Sequence, residues 1–295
     1  MRGYRRRGAL ADLVTQQWVR WTGRNIDPAR TSWLSGPIGD PSGIGRDFFI
    51  GLASSEGLQV RRSGGTRGLL AMKQLRGPGF DPAEVAPAVR DFYEHTSDFE
   101  LDSWAEWCGV FRPFGWLLTV MFSRRLQQLN MPLRPLDTSG GTVSEIIHLQ
   151  DPASGEVMYT AWLRELRRTG NVLYAGCYST AGVPGYQSPC VKVVFPLPNG
   201  NAIVLLRPSV GEDGALTILS SGRRFGDPGF YFTVRDPEGT VRARYVRTMR
   251  EKIRVYADGN GAVRADHTLA IWGTVFLRLH YKCTRRQQTP ASQDG

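Results

Sequence analysis

Histidines at positions 95, 148, 267 and 280 are the side chains of this sequence best suited to moving protons near neutral pH. Two of them fall in "ADHTLAIWGTVFLRLHYK", residues 265–282, where His267 directly follows Asp266. In "VRDFYEHTSDFELDSWAEW", His95 stands three residues before Asp98 and among Glu94, Glu100, Asp102 and Glu106. A carboxylate beside an imidazole raises its pKa and orients it, the arrangement that general acid–base catalysis uses. His95 with Asp98, and His267 with Asp266, are therefore the candidate catalytic pairs. For His95 the competing explanation is a helix end with a solvated acidic rim; for His267 it is a structural strand.

Other chemistry has less support. The histidines have no i,i+4 or CxxC partner, so neither a metal nor a cofactor is expected. Cys108, Cys177, Cys190 and Cys283 are far apart and read as reduced, buried residues. No serine lies in GxSxG, and "SGPIGDPSGIG" lacks the GxxxxGK[ST] signature, so it is assigned to a loop.

Ligand recognition rests on arginines beside aromatics. In "TAWLRELRRTGNVLY", Trp162 and Arg164 share strand parity. An inward Arg164 would pair a buried carboxylate or hold the acidic group of a ligand. "SSGRRFGDPGFYF" sets Arg223 and Arg224 before a turn and three aromatics, suited to an anion and an apolar body, or to a plain hairpin. Trp162, Tyr174, Phe195, Phe230, Phe232, Trp272 and Phe276 are the expected lining of a ligand cavity, with Arg164 or Arg224 at its polar end. The stripe Arg242, Arg244, Arg250, Lys252 and Arg254 lacks interleaved aromatics, so it reads as a solvated face and nucleic acid is not the expected partner.

The elements that must position these residues divide near residue 138. Residues 1–138 carry helical and irregular signals, 139–284 strands and turns, and 285–295 a disordered tail. Helices are expected in "GALADLVTQQWVRWTG", residues 8–23, from the Asp81 cap to about Thr96, and over 114–130 as a lid or plug. Asn-Gly and Asp-Gly turns then separate about nine antiparallel strands, near 143–150, 156–168, 171–180, 190–197, 201–207, 215–221, 229–236, 240–257 and 262–282. The predicted fold is α+β, with an N-terminal helical part packed on a large antiparallel meander curled into a barrel or half-barrel. One regular strand over 262–282 sends His267 to the buried face and His280 to the other.

Composition sets the limits. The 295 residues are 41% hydrophobic and 22% charged, ordinary for a globular chain. A net charge of +10 permits anionic partners, and Trp18 and Trp21 among N-terminal arginines suit an anionic membrane surface, bound through residues 1–24. No apolar run reaches the length of a bilayer span and no signal peptide is recognised, so a cytoplasmic or membrane-peripheral protein is expected. The outline resembles the architecture of lipocalin-like and START-like binders of hydrophobic ligands, without a shared motif. The expected function is binding or carriage of a bulky apolar small molecule. The alternative is an enzyme of the same architecture, a cyclase, isomerase or hydratase using a His/Asp pair.

Overall fold

The computed structural model describes residues 10–39, 46–62, 65–109, 142–167, 170 and 172–286. The expected helix over 114–130 and the segment 287–295 lie outside them.

Before residue 138 come α1 (Leu10–Thr22), β1 (Arg24–Ile26), α2 (Arg46–Glu56), β2 (Gln59–Arg61), α3 (Pro87–Glu94) and β3 (Phe99–Trp107). The helix expected from Asp81 is split. Asp81 caps a single 3-10 turn, accepting from the Ala83 N–H at 3.0 Å, and α3 begins afresh at Pro87. Proline drives the preceding residue out of the helical region, and Ala86 sits at ψ 135°. The acidic run after His95 is not a helix end but strand β3. Its period of two buries Phe99, Leu101, Ala105 and Trp107 and exposes Glu100, Asp102 and Glu106.

After it come β4 (Thr142–Gln150), β5 (Val157–Leu166), β6 (Val172–Ala181), β7 (Cys190–Leu197), β8 (Gly200–Val210), β9 (Leu216–Leu219), β10 (Phe230–Arg235), β11 (Val241–Tyr245), β12 (Met249–Ala257), β13 (Val263–Ile271) and β14 (Thr274–Arg285). The expected strand 240–257 is thus two strands, and 262–282 is a hairpin. These strands pair antiparallel, and the sheet runs β2-β4-β5-β6-β7-β8-β9-β12-β13-β14-β3.

It is not a simple meander, because it forks at β8. One edge of β8 pairs with β7; the other gives Gly200–Val204 to β10 and Arg207–Val210 to β9. The fork needs Gly200, whose Cβ would lie 1.9 Å from the Thr233 carbonyl oxygen. At the far end β3 returns to β4, where the Thr142 hydroxyl donates to the Leu101 carbonyl at 2.9 Å. No ladder joins those two strands, and the sheet is not closed into a barrel.

Two cores follow from strand parity. Ile147, Ala161, Leu163 and Val194 face α2, with its Phe48, Phe49 and Leu52. Their neighbours Ile146, Trp162 and Val193 point the other way, toward Phe92 and Tyr93 of α3. Aromatic residues on both faces of the sheet are explained by this double burial. Phe49 is fully buried, and truncating such a side chain to alanine costs about 3–5 kcal/mol.

The four cysteines are free thiols, and Cys177, Cys190 and Cys283 are buried. Burial pushes the Cys190 and Cys283 thiols up to about 12, so they pack as small apolar residues.

Candidate functional site

On the α3-facing side of the sheet lies a cavity of about 550 Å³, to which β3, β5–β10, β12–β14, α1 and α3 contribute residues. Its walls are largely apolar: Val193, Phe195, Val204, Phe230, Phe232 and Leu279 are among them. Phe195 meets Tyr174 edge-on at 5.4 Å, and Tyr174 meets Trp162 at 5.6 Å. Helix α1 adds Thr15 and Gln16, and the Gln16 amide donates to the Pro198 carbonyl at 3.0 Å.

Polar groups converge where β3, β5, β12, β13 and β14 meet. Arg164 of β5 is 5% exposed, and its Nη2 donates to Ser103 Oγ on β3 at 3.1 Å. Its guanidinium lies over the rings of Trp162 and Tyr281, at 5.6 and 5.3 Å. Its Nε has no acceptor, and among the described residues no carboxylate forms an ion pair with it. Of the two outcomes open to an inward Arg164, the buried structural ion pair is not the one observed.

His267 Nε2 lies 2.7 Å from Glu251 Oε1, and the two side chains are 13% and 10% exposed. The carboxylate sits off the line of a good Nε2 hydrogen bond, so the contact is electrostatic. The His267 ring also stacks on Tyr281, with centroids 6.4 Å apart. Glu251 is held by its backbone: its N–H donates to Ser220 Oγ at 2.7 Å, and its carbonyl accepts the Ser220 N–H at 3.0 Å.

The Tyr174 hydroxyl donates to that of Tyr178 at 3.1 Å. Burial raises both phenols, and Tyr281 as well, although Arg164 opposes the shift at Tyr281. All three stay protonated near neutral pH; with the Tyr174 hydrogen spent on Tyr178, the hydroxyls of Tyr178 and Tyr281 are the ones that can donate into the cavity.

Seven of the residues read from sequence as lining are brought together here: Trp162, Arg164, Tyr174, Phe195, Phe230, Phe232 and Phe276. Phe276 arrives through a bulge, being the extra residue where the β13–β14 register shifts beside Ala270. Trp272 does not line the cavity. It forms the β13–β14 turn with Gly273, at φ 50° and 80°, and is 74% exposed. A two-residue turn with both φ positive matches the right-handed strand twist, so the chain reverses there instead of continuing. Arg224 is a correction too: its side chain is 88% exposed, 3.9 Å from Asp227 in the loop before β10.

The proposed acid–base pairs fare differently. His267 is in the cavity, but its carboxylate is Glu251; Asp266 faces outward and meets His280 Nδ1 at 2.8 Å. Strand parity thus separates His267 from His280 as expected, although through a hairpin. His95 pairs with Asp91 at 2.7 Å, partly exposed, while Asp98 receives Arg285 at 3.4 Å. Neither residue lines the cavity.

The basic stripe is not a bare solvated face. Arg242 and Arg244 donate to the carbonyls of Arg20 and Thr22 and close the last turn of α1, and Arg254 pairs with Asp213. Ser103, Tyr178, Glu251 and Tyr281 were missed from sequence. Glu251 carries a signal in hindsight, as the one acid of "RTMREKIR" and opposite in parity to the basic stripe.

Among the described residues, no group of three or more His, Cys, Asp or Glu side chains is placed to hold a metal ion. None of their helices is long and apolar enough to cross a membrane.

No family model matches the chain, and no solved structure matches it. Among curated proteins, the uncharacterized membrane protein YndJ of Bacillus subtilis (strain 168) is 26% identical over 220 residues. The match covers 74% of this chain and 38% of that protein, so the chain spans well under half of its relative.

Proposed function

We propose that this chain binds a bulky apolar small molecule inside the cavity, with the curled sheet serving as a half-barrel around it. The observation that carries this is the size of the space. Packed cores hold few voids larger than a water molecule, whereas about 550 Å³ falls within the range of ligand pockets. The apolar walls and the few convergent polar groups support the same reading. We place the protein in the cytoplasm at a membrane surface, a reading supported by its unpaired cysteines, by its relative's description as a membrane protein, and by the exposed Val14 and Trp21 of α1.

The test is uptake of an apolar fluorescent probe, together with native mass spectrometry of protein purified from its own host. Ala202 lies between Phe195 and Phe232 in register and lines the cavity, so Ala202→Trp fills it. The expected result is a bound apolar compound and a parent that takes up the probe, with uptake lost in the variant. No uptake by the parent would sink the proposal.

A second reading is favoured by the position of His267, a titratable ring inside an apolar cavity with Glu251 at ion-pair distance. There the chain would move a proton on the bound molecule, as an isomerase or cyclase does. Ligand incubated with the protein in D2O would gain deuterium at carbon with the parent and not with His267→Gln. Absence of exchange in both leaves binding as the function.

A further inference from the structure

We infer that the cavity's occupant is an amphiphile with a singly charged acidic head group, and that Arg164 is the seat of that head. The inference rests on the cavity-binding reading and adds the class of ligand. A buried cation is costly unless something answers its charge. Arg164 has Ser103 Oγ, two aromatic faces and no carboxylate ion-pair partner among the described residues. The one acid among the lining residues, Glu251, is engaged at 2.7 Å with His267.

The free capacity of Arg164 also has the right shape. Nε is without an acceptor, and Nη2 spends one hydrogen on Ser103. These two nitrogens form the side edge of the guanidinium, which grips the two oxygens of a carboxylate in parallel hydrogen bonds. One arginine answers one negative charge, so the head is a monoanion such as a carboxylate, not a dianionic phosphate. The Tyr178 hydroxyl, which accepts from Tyr174, adds a neutral donor within the same cavity, and the apolar body rests along Phe195, Phe230 and Phe232.

The test uses the full chain and two probes with one apolar body, pyrene-dodecanoic acid and pyrene-dodecanol, titrated by fluorescence at neutral pH. The expected result is about tenfold or greater preference of the parent for the acid, since hydrogen bonds to charged groups carry that much. Arg164→Gln should lose the preference by weakening the acid alone, and Arg164→Lys should recover part of it. Equal binding of acid and alcohol by the parent overturns the head-group seat while leaving the cavity reading intact. Failure of both probes to bind overturns the cavity reading itself. The parent's comparison stands even if Arg164→Gln does not fold. In that case the preference must also collapse below the probe's own carboxyl pKa, and its survival there overturns the assignment.

Discussion

Glu251 and His267 meet across a diagonal of the sheet. In the β12–β13 ladder Glu251 is opposite Leu269 and His267 is opposite Ile253, yet Oε1 of the first lies 2.7 Å from Nε2 of the second. Residues two apart on one strand share a face, and a diagonal neighbour is within reach of a long side chain. The residue beside His267 in the chain, Asp266, is excluded by the same rule and serves the outer face with His280.

Breaking this pair should be asymmetric. Glu251→Leu removes the acid and should cost about 1 kcal/mol, whereas His267→Leu leaves a buried carboxylate without its partner and costs about 3 kcal/mol. The double variant should cost less than the sum of the singles, by an interaction of about 0.5–3 kcal/mol. Urea unfolding of the four proteins at pH 7 measures all three numbers. Strict additivity would mean that the two side chains do not interact.

The β13–β14 turn should be improvable. Trp272 holds a left-handed conformation that costs a bulky residue about 1–3 kcal/mol, and its ring is exposed. Asparagine before glycine is favoured in such turns, so Trp272→Asn should stabilise the protein by about 0.5–1 kcal/mol. Uptake of an apolar probe should be unchanged, since the ring lies outside the cavity. A variant that melts lower, or that loses uptake, contradicts this placement.

That turn marks where the sequence was legible and where it was not. Alternation along 265–282 correctly separated the faces of His267 and His280. Yet Trp-Gly carries none of the usual turn chemistry, so a hairpin read as one strand. The break between β11 and β12 falls at Val246-Arg247-Thr248, which has no glycine, proline or asparagine to announce it. The strands bounded by Asp151, Asp213 and Asp258 were found, because those carboxylates bind nearby backbone N–H groups and make local turns. Most of the cavity's aromatic wall was visible as strand parity. Of its polar end only Arg164 was visible, because Ser103, Glu251 and Tyr281 come from three other strands that only long-range pairing brings together.

Helix α1 should prove partly structural and partly surface. Val19 is fully buried, Gln16 lines the cavity, and Arg242 and Arg244 close the helix end. Deleting residues 1–24 should therefore lower the melting temperature. Val14→Ser with Trp21→Ala, at exposed positions, should stay within about 0.5 kcal/mol of the parent. If α1 meets an anionic membrane, the same pair should weaken sedimentation with anionic vesicles. Unchanged sedimentation would remove α1 from the membrane model.

Acid should weaken the protein through His148. Burial lowers the pKa of this imidazole, with Arg67 and Arg61 adding to the shift and a hydrogen bond to the Gly68 carbonyl, 3.0 Å from Nε2, opposing it. A depressed folded pKa means that the unfolded chain takes up the proton first, at about 6.5. Between the folded and unfolded values the unfolded state holds more protons, so stability rises with pH there. The contribution is complete above about pH 6.5 and is lost as the pH falls through the folded value. His148→Gln does not titrate, and its amide can still donate to Gly68. Relative to the parent, its melting temperature should decline less between pH 7.5 and pH 5.5. Parallel melting curves across that range would show that His148 is not held neutral by its surroundings.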